Sequence, residues 1–434
     1  MTAESSTVPV TWGPPPRRRQ WSRTLLLVAM SLVCLVGASA VAWLAHRSGT
    51  RNGTALVLIF ALIPLPVVVG CFLWLDRYEP EPLRYLLAAF AWGAVVAVAI
   101  ALPLEVLVAL SHDFKRTTQA AVWAPIIEES AKGLFLVAVL VRRRHRIDGV
   151  LDGVVYAGLV GAGFAFTENV GYYSGAYSGT LVDTMHGAGA TTGLFIARGL
   201  MSPFAHSLFA SAFGIGVGVA VAAQRRWLRW LTPPLGLAVG IGMHALWNGS
   251  AALGGGTKFL IVYGALFVPT FIGGVVGAVV LRTRQGKLVV RSLGDAARRG
   301  WLHPDEVPWL STFELRRRAR RFADKTAGRP AREALADYQD AATRLAFAHD
   351  SVLRGLVGSG GRLEVGRLLG ELRLLRPHIV LPPPVRAWRP PPPPMIPYGW
   401  APPPNGWAPP PSQAPAPWTP PVGVPGPPPG TPRD

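Results

Sequence analysis

The chain has 434 residues, of which 50% are hydrophobic and only 15% are charged, and these proportions argue against an ordinary water-soluble enzyme. Its two cysteines, Cys34 and Cys71, both lie in apolar runs, which excludes a disulfide scaffold, a cysteine-rich zinc module and an iron–sulfur protein. The 43 Lys and Arg outnumber the 24 Asp and Glu, but much of this excess flanks apolar segments. We therefore expect the excess to reflect membrane topology, and we expect no nucleic-acid partner.

Eight apolar stretches recur along the chain, each long enough to cross a bilayer of about 30 Å as a helix of about 20 residues. They run from Thr24 to Ala45, Thr54 to Leu75, Leu83 to Leu110, Ala120 to Val141, Gly149 to Tyr172, Arg198 to Ala223, Leu231 to Leu253 and Phe259 to Leu281. The first is too long for a signal peptide and lacks a small-residue cleavage site, so we expect it to be retained. The pattern predicts an all-α polytopic membrane protein with about eight transmembrane helices.

Arginine clusters predict the orientation of these helices. With eight spans both termini share one side, and the basic residues on that side are Arg17 to Arg19, Arg23, Arg77, Arg84, Arg142 to Arg144, Arg146, Arg225, Arg226 and Arg229. The opposite side carries fewer, namely Arg47, Arg51, Lys115, Arg116 and Lys258, while Arg198 is ambiguous. Because positive charge concentrates on the cytoplasmic side, we expect a multi-pass cell-membrane protein with both termini in the cytoplasm and an external loop over 173–197.

Composition divides the chain into four predicted segments. They are a basic cytoplasmic N-terminus over 1–23, a transmembrane domain over 24–281, a small cytoplasmic helical region over 282–381 and a Pro-rich tail over 382–434. The third segment is basic and has helical patterning from Leu310 to Ala327 and from Arg332 to Leu356, which fits a solvated helix face beside anionic lipid. The tail contains more than half of the 42 prolines and should be disordered or polyproline II, either as a partner-binding segment or as a plain spacer.

Ionisable residues within predicted spans indicate where a functional site lies. Each costs free energy in a membrane, so such residues are usually functional. The fourth span contains Glu128 and Glu129 followed by Lys132. Glu128 and Lys132 are four residues apart on one helix face, whereas Glu129 points about 100° away. We expect Glu128 and Lys132 to pair and Glu129 to have no local partner, although an ion pair that only joins helices is the simpler alternative.

Three further spans carry polar residues. The fifth contains Glu168 beside Asn169, with Asp148 and Asp152 at its cytoplasmic end as predicted N-terminal caps. The sixth contains His206, and the seventh contains the sequence from His244 to Asn248, which includes Trp247. Measured from the external helix ends at 1.5 Å per residue, Glu128, His206 and His244 lie at similar depths of about 12 to 13 Å, and Glu168 is shallower at about 6 Å. We expect the first three to converge and Glu168 to line the mouth of the site.

This set of side chains suits hydrolysis in a wet cavity. Glu128 or Glu129 is the predicted base, His206 is a second acid/base or a metal ligand, and the face with His244 and Asn248 is predicted to donate hydrogen bonds to an oxyanion. His206 and His244 with a carboxylate are an adequate catalytic zinc set, but there is no HExxH motif, so a metal-free mechanism stays open. Serine and aspartyl-protease chemistry fit less well, because neither a nucleophile elbow nor an aspartate pair is present.

Several of these motifs together resemble the PrsW-type intramembrane proteases, distant relatives of the type II CAAX prenyl endopeptidases and of the bacteriocin-immunity membrane proteins. The resemblance covers about residues 54 to 281 and rests on Asp76-Arg77-Tyr78-Glu79-Pro80-Glu81-Pro82, Glu128-Glu129-x-x-Lys132, Asp152 to Tyr156, Phe164 to Asn169, His206 and His244-x-x-Trp247-Asn248. It implies a multi-helix membrane peptidase, commonly described as a metalloprotease, with an active site of paired glutamates and histidines. Founding members make the first cut in an anti-sigma factor, so the implied substrate is a membrane protein.

Two other functions are compatible with the same residues. Membrane carboxylates, histidines and Lys132 also suit the proton relay of a transporter, although no convincing internal repeat is visible. The chain could instead be a non-catalytic scaffold that recruits partners through its tail. Glycine-rich runs over 158–163 and 214–218 indicate either close helix packing or local flexibility.

Overall fold

The computed structural model describes residues 39, 43, 46, 49–111, 114–143, 147–180, 186–355 and 359–385. Most of the first predicted span and the tail from 386 onward lie outside this range, so those predictions concern undescribed residues. The described residues form helices and no strand, and the chain divides into two compact units, Met1–Thr283 and Arg284–Asp434.

Ten helices of more than three residues, in the described part of the chain, build the first unit and lead into the second. They are α1 (Arg51–Leu62), α2 (Leu65–Leu75), α3 (Leu83–Ala91), α4 (Val98–Ser111), α5 (Ala124–Arg143), α6 (Val150–Ser178), α7 (Ala188–Phe195), α8 (Ala205–Ala222), α9 (Arg226–Val262) and α10 (Val268–Arg298). Four π-helical turns interrupt or extend them, at Trp92–Ala97, Gln119–Trp123, Ile196–Met201 and Tyr263–Phe267. Such turns leave the regular α-helical hydrogen-bond ladder and often occur at functional sites.

Five helical stretches in the described part of the chain are long and apolar enough to cross a membrane. They are Arg51–Leu75, Leu83–Ser111, Val150–Ser178, Ala188–Ala222 and Gly256–Arg298. Each corresponds to one of the eight predicted spans. The fourth predicted span begins in the π-helical turn Gln119–Trp123 and continues through most of α5, and the seventh lies within α9. Neither α5 nor α9 is among the five, and α5 carries two glutamates and a lysine in its apolar stretch. A multi-pass helical protein is therefore confirmed, and the number eight stays a prediction.

Helix α6 is the centre of the first unit and is mostly buried. Its glycines allow the backbone of α8 to come unusually close: a Cβ added to Gly153 would lie 2.1 Å from the Gly214 carbonyl oxygen, and one added to Gly161 would lie 2.5 Å from that of His206. Small residues permit this approach in membrane helices. The glycine-rich runs therefore serve close packing, which decides between the two interpretations that the sequence left open.

The ends of α6 differ from the prediction at two places. The N-cap is Gly149, and the capping carboxylate is that of Asp152, which accepts from the backbone N–H groups of Asp148 (2.9 Å) and Gly149 (3.3 Å). Asp148 is thus not the cap. At the other end α6 continues to Ser178 and stops at Gly179, whose φ of 81° is left-handed. Since α7 begins at Ala188, the loop predicted over 173–197 was wrong, and only 179–187 separate the two helices.

The second unit contains the end of α10, a 3₁₀ turn at Pro304–Glu306, α11 (Val307–Ser311), α12 (Phe313–Leu353) and α13 (Ser359–Leu375). Helix α12 covers both predicted helices of this region, and a left-handed Gly328 (φ 78°) kinks it just before Pro330. The buried Arg316 guanidinium donates to the carbonyls of Leu310 (2.7 Å) and Gln339 (2.8 Å) and so holds the start of α12 to its second half.

Candidate active site

Helix α5 presents two glutamates and a lysine on successive turns, all buried. Lys132 Nζ donates to Glu129 Oε1 at 2.8 Å and lies 3.5 Å from Glu128 Oε2. The prediction that Glu129 has no local partner was therefore wrong. A lysine side chain is long enough to reach neighbours three and four residues back, and Glu129 is the nearer one. Glu128 is held less tightly as a result.

His244 comes to this pair from α9. Its Nδ1 lies 2.9 Å from Glu129 Oε1, which makes Nδ1–H the donor and leaves Nε2 as the free nitrogen. Nε2 is buried, has no hydrogen-bond partner among the described residues and lies 3.9 Å from Glu128 Oε2. The Phe209 ring stacks on the imidazole with a centroid distance of 5.0 Å, and Phe209 packs in turn with Trp247 and Phe267. Trp247 thus belongs to the aromatic cluster that fixes the His244 ring.

The second histidine, His206, follows an interruption of the helix between α7 and α8. The π-helical turn Ile196–Met201 contains Arg198, the chain leaves helical geometry at Ser202 (ψ 42°) before Pro203, and His206 lies in the first turn of α8. Lys132 Nζ donates to His206 Nδ1 at 3.1 Å. This assigns the proton to Nε2, which lies 2.6 Å from Glu168 Oε2. Both nitrogens of His206 are therefore engaged.

Glu168 belongs to the cluster itself and also lines the cavity, so the prediction that it only lines the mouth of the site was incomplete. Its Oε2 meets both His206 Nε2 and Arg198 Nη2, at 2.6 and 2.5 Å. Asn169 Oδ1 accepts from Arg198 Nε at 2.7 Å, so α6 holds this guanidinium through two neighbouring residues. The predicted depth was too small because the end of the span was set at Tyr172, whereas α6 continues to Ser178.

Glu128, His206 and His244 come together as the depths of their spans predict. Each is buried and offers a ligand atom, and these atoms all lie within 4.8 Å of one another. Two imidazoles and a carboxylate suit a catalytic zinc ion, and the unbonded Nε2 of His244 has a lone pair that could coordinate it. The residues therefore fit a metal, provided that His206 releases Lys132 or Glu168. Glu129, which bonds to the other nitrogen of His244, is the type of outer partner that orients metal-bound histidines.

A cavity of about 440 Å³ gives access to this cluster. Glu128, Glu168 and Asn248 line it, whereas Glu129, His206 and His244 do not. Asn248 Nδ2 donates to the Ala120 carbonyl at 2.9 Å, within the π-helical turn that precedes α5. Asn248 thus presents its amide to the cavity from a fixed position, with one of its two N–H donors unused by this bond.

Two ionisable residues of the site escaped the sequence analysis. Arg198 was considered only as a topology marker, although it binds Glu168 and Asn169. Glu105 of α4 was passed over, although it lines the same cavity as Glu128. Glu105 is an acid inside an apolar stretch, which is the same sequence pattern that identified Glu128 and Glu168.

The fold and the site together define a class: an all-helical multi-pass membrane protein with a buried glutamate–histidine centre that opens to a cavity. Comparison with known proteins narrows this class. The sequence model described as PrsW family intramembrane metalloprotease matches residues 81–274, which include every residue of the cluster. The chain belongs to the PrsW family.

Three relatives, each named Protease PrsW, quantify the similarity. The chain is 35% identical to the Clostridioides difficile (strain 630) protein over 121 residues, which are 26% of this chain and 50% of that protein. It is 31% identical to the Geobacillus kaustophilus (strain HTA426) protein over 179 residues (40% and 73%), and 27% identical to the Bacillus subtilis (strain 168) protein over 180 residues (40% and 76%). The chain thus spans half the length of the first relative and about three quarters of the other two. No solved structure matches the chain.

Proposed function

We propose that this protein is an intramembrane endopeptidase that hydrolyses a peptide bond of a membrane protein with water activated by Glu128. The observation that carries the proposal is that ligand atoms of Glu128, His206 and His244 lie within 4.8 Å of one another and that Glu128 lines an accessible cavity. Hydrolysis within a membrane needs such a polar recess, because water must reach a base that apolar helices otherwise screen.

The two glutamates receive different roles in this proposal. Glu129 is buried away from the cavity and bonds to Lys132 and His244 at 2.8 and 2.9 Å, so it positions those two side chains. Glu128 lines the cavity and has two longer contacts, 3.5 Å to Lys132 and 3.9 Å to His244, so its carboxylate is free to take a proton from water. The proton then passes to the nitrogen of the leaving amine, as general acid–base catalysis of peptide hydrolysis requires.

The remaining polar groups support the transition state. Asn248 lines the cavity and donates only one of its amide hydrogens to Ala120, so the other is the proposed donor to the oxyanion. Glu168 and Lys132 hold the two nitrogens of His206 and thereby set its tautomer and orientation. Glu168 is itself held by Arg198.

A zinc ion is the cofactor that these donors suit, with Glu128, His206 and His244 as the side chains that would hold it. When bound, it supplies Lewis-acid polarisation of the scissile carbonyl. Glu129 and Phe209 keep the His244 ring in place whether or not a metal is present. Gln is a poor metal ligand and cannot act as a base, so Glu128→Gln loses cleavage in either role. The metal content of this variant distinguishes a ligand role from a base role.

Topology and substrate follow the sequence expectations. We propose cytoplasmic termini, a catalytic membrane domain over 24–281, a cytoplasmic helical region over 282–381 and a tail over 382–434 that serves as a spacer or binds a partner. The arginine clusters support this orientation. Anti-sigma factors with a single membrane span are the first substrate class to test, because the resemblance to the PrsW-type proteases implies them. Their scissile bond would have to be accessible within the membrane.

The test compares the purified wild-type protein with Glu128→Gln in a cleavage assay on a reconstituted single-span substrate, with metal content measured on both. Glu128 as base predicts that Glu128→Gln retains its metal and loses cleavage about a hundredfold or more. Loss of both metal and cleavage assigns Glu128 as a ligand instead. Normal cleavage by Glu128→Gln, with or without a chelator, removes the proposal.

A further inference from the structure

Glu105 is an acid in an otherwise apolar part of α4. On that helix it shares one face with Ala101, Leu102 and Val108, and this face lines the cavity that reaches Glu128. The residues are three or four apart, which is the spacing of one side of an α-helix. Glu105 is therefore directed towards the space that a substrate would occupy, and it is only partly buried.

No described residue pairs with Glu105 by a hydrogen bond or an ion pair, whereas the other acids of the cavity are paired. Glu128 has Lys132, and Glu168 has Arg198 and His206. Arg116 also lines the cavity but is exposed and lies outside ion-pair distance of Glu105. An unpaired carboxylate in a membrane span is costly, and such residues are normally retained because they bind something.

The charge of the buried cluster does not compensate for Glu105. Three carboxylates, Glu128, Glu129 and Glu168, face two permanent cations, Lys132 and Arg198. Glu105 adds a further negative charge to the same space. Trp123 contributes an aromatic ring to the cavity wall, and aromatic faces also attract cations. Among the charged residues that line the cavity, the acids Glu105, Glu128 and Glu168 outnumber the single cation Arg116, so the cavity favours a positively charged occupant.

We propose that Glu105 determines specificity by binding a cationic side chain, Lys or Arg, that lies close to the scissile bond of the substrate. This inference rests on the proposed peptidase function and names the substrate class for it. A lysine or arginine that enters the cavity loses hydration, and an ion pair with the carboxylate of Glu105 offsets this loss. A substrate with a neutral residue at that position leaves the carboxylate unpaired, and it binds less tightly.

The first test measures binding without catalysis. Full-length protein in nanodiscs of zwitterionic lipid is titrated calorimetrically with an alkylguanidinium and with the uncharged alkylurea of the same shape. We expect the wild-type protein to bind the guanidinium roughly ten- to a hundredfold more tightly, as a hydrogen-bonded ion pair contributes, and Glu105→Gln to lose this preference. Arg116→Gln is the matched control: it removes a charge of opposite sign from the same cavity and must not weaken guanidinium binding.

The second test measures cleavage of single-span substrates that differ only by Lys or Gln near the scissile bond. Glu105→Gln should raise KM about tenfold for the Lys substrate and leave kcat and the Gln substrate unchanged. Glu105→Asp, which keeps the charge, serves where Glu105→Gln folds poorly and should retain part of the preference. Equal binding of guanidinium and urea by the wild-type protein, or a preference that survives in Glu105→Gln, overturns the inference. Cleavage by Glu128→Gln would instead refute the peptidase proposal and leave the binding result intact.

Discussion

Glu129 Oε1 lies 2.9 Å from His244 Nδ1, and the other nitrogen of this imidazole, Nε2, is buried 3.9 Å from Glu128 Oε2, with no hydrogen-bond partner in the part of the chain that the structure describes. One glutamate thus orients the histidine, and the adjacent one faces its free nitrogen. Consecutive acids on one helix acquire different environments, which is why we assign them different roles in the proposed reaction.

This relationship predicts that Glu129→Gln damages stability more than Glu128→Gln does. Lys132 loses its nearest counterion in Glu129→Gln, and removing one partner of a buried ion pair costs about 3 to 5 kcal/mol. Glu128→Gln removes longer contacts, 3.5 Å to Lys132 and 3.9 Å to His244, so it should cost less. Unfolding in mixed detergent micelles measures both variants. Equal stability losses would show that Lys132 depends on Glu129 no more than on Glu128.

Asn248→Ala should lower kcat about a hundredfold or more while KM changes little. The amide is the proposed donor to the oxyanion, and removal of one such donor typically has an effect of this size on the transition state alone. Steady-state cleavage kinetics give the two constants separately. The control is Ser250→Ala on the same helix, because the Ser250 hydroxyl donates to the Trp247 carbonyl and has no other partner among the described residues. A rise in KM with unchanged kcat in Asn248→Ala would assign this residue to substrate binding instead.

Close packing of α6 and α8 predicts that a single methyl group at Gly214 is harmful. A Cβ there would lie 2.2 Å from the Gly153 carbonyl oxygen, so Gly214→Ala should destabilise the membrane unit by about 1 to 3 kcal/mol. Gly242→Ala makes the same change on α9, where no atom lies within 4 Å, and should stabilise by up to about 1 kcal/mol through helix propensity. Thermal unfolding in detergent compares them, and a neutral Gly214→Ala would contradict the packing.

The pKa of Asp76, which follows α2 outside the apolar stretch, is raised from its ordinary value of 3.8 to about 7, mainly by burial and also by the charge of Glu81. The folded protein therefore binds this proton more tightly than the unfolded chain does. The contribution of Asp76 to stability is complete below about pH 4 and is lost as the pH rises to about 7, by at most about 1.4 kcal/mol per pH unit.

Asp76→Asn removes this titration and keeps an oxygen that can accept the Glu81 backbone N–H, a bond of 2.9 Å in the wild-type protein. We expect the pH dependence of stability between pH 4 and 7 to become shallower in the variant. Some slope should remain, because burial also raises the pKa of Glu79 well above its ordinary range. Denaturation curves at pH 5 and pH 7 measure the difference, and an unchanged slope would argue against a protonated Asp76.

Much of this protein was predictable from sequence because membrane helices obey two simple rules. Apolar length marks the crossings, and the acids and histidines that interrupt it mark the site, so Glu128, His206 and His244 were identified and their similar depths foreseen. Rise per residue determines depth along a helix axis, and that quantity needs no knowledge of neighbours. The depth of Glu168 was wrong only because the end of α6 was set six residues too early.

Only the tertiary structure decided which atoms meet. Rotation of each helix about its axis depends on packing with its neighbours, such as the glycine contacts of α6 with α8, and no periodicity in one segment encodes it. That rotation brings His244 to Glu129 and directs Glu105 into the cavity. The break at Ser202, which lets Arg198 and His206 meet the same carboxylate, is likewise a property of the folded chain.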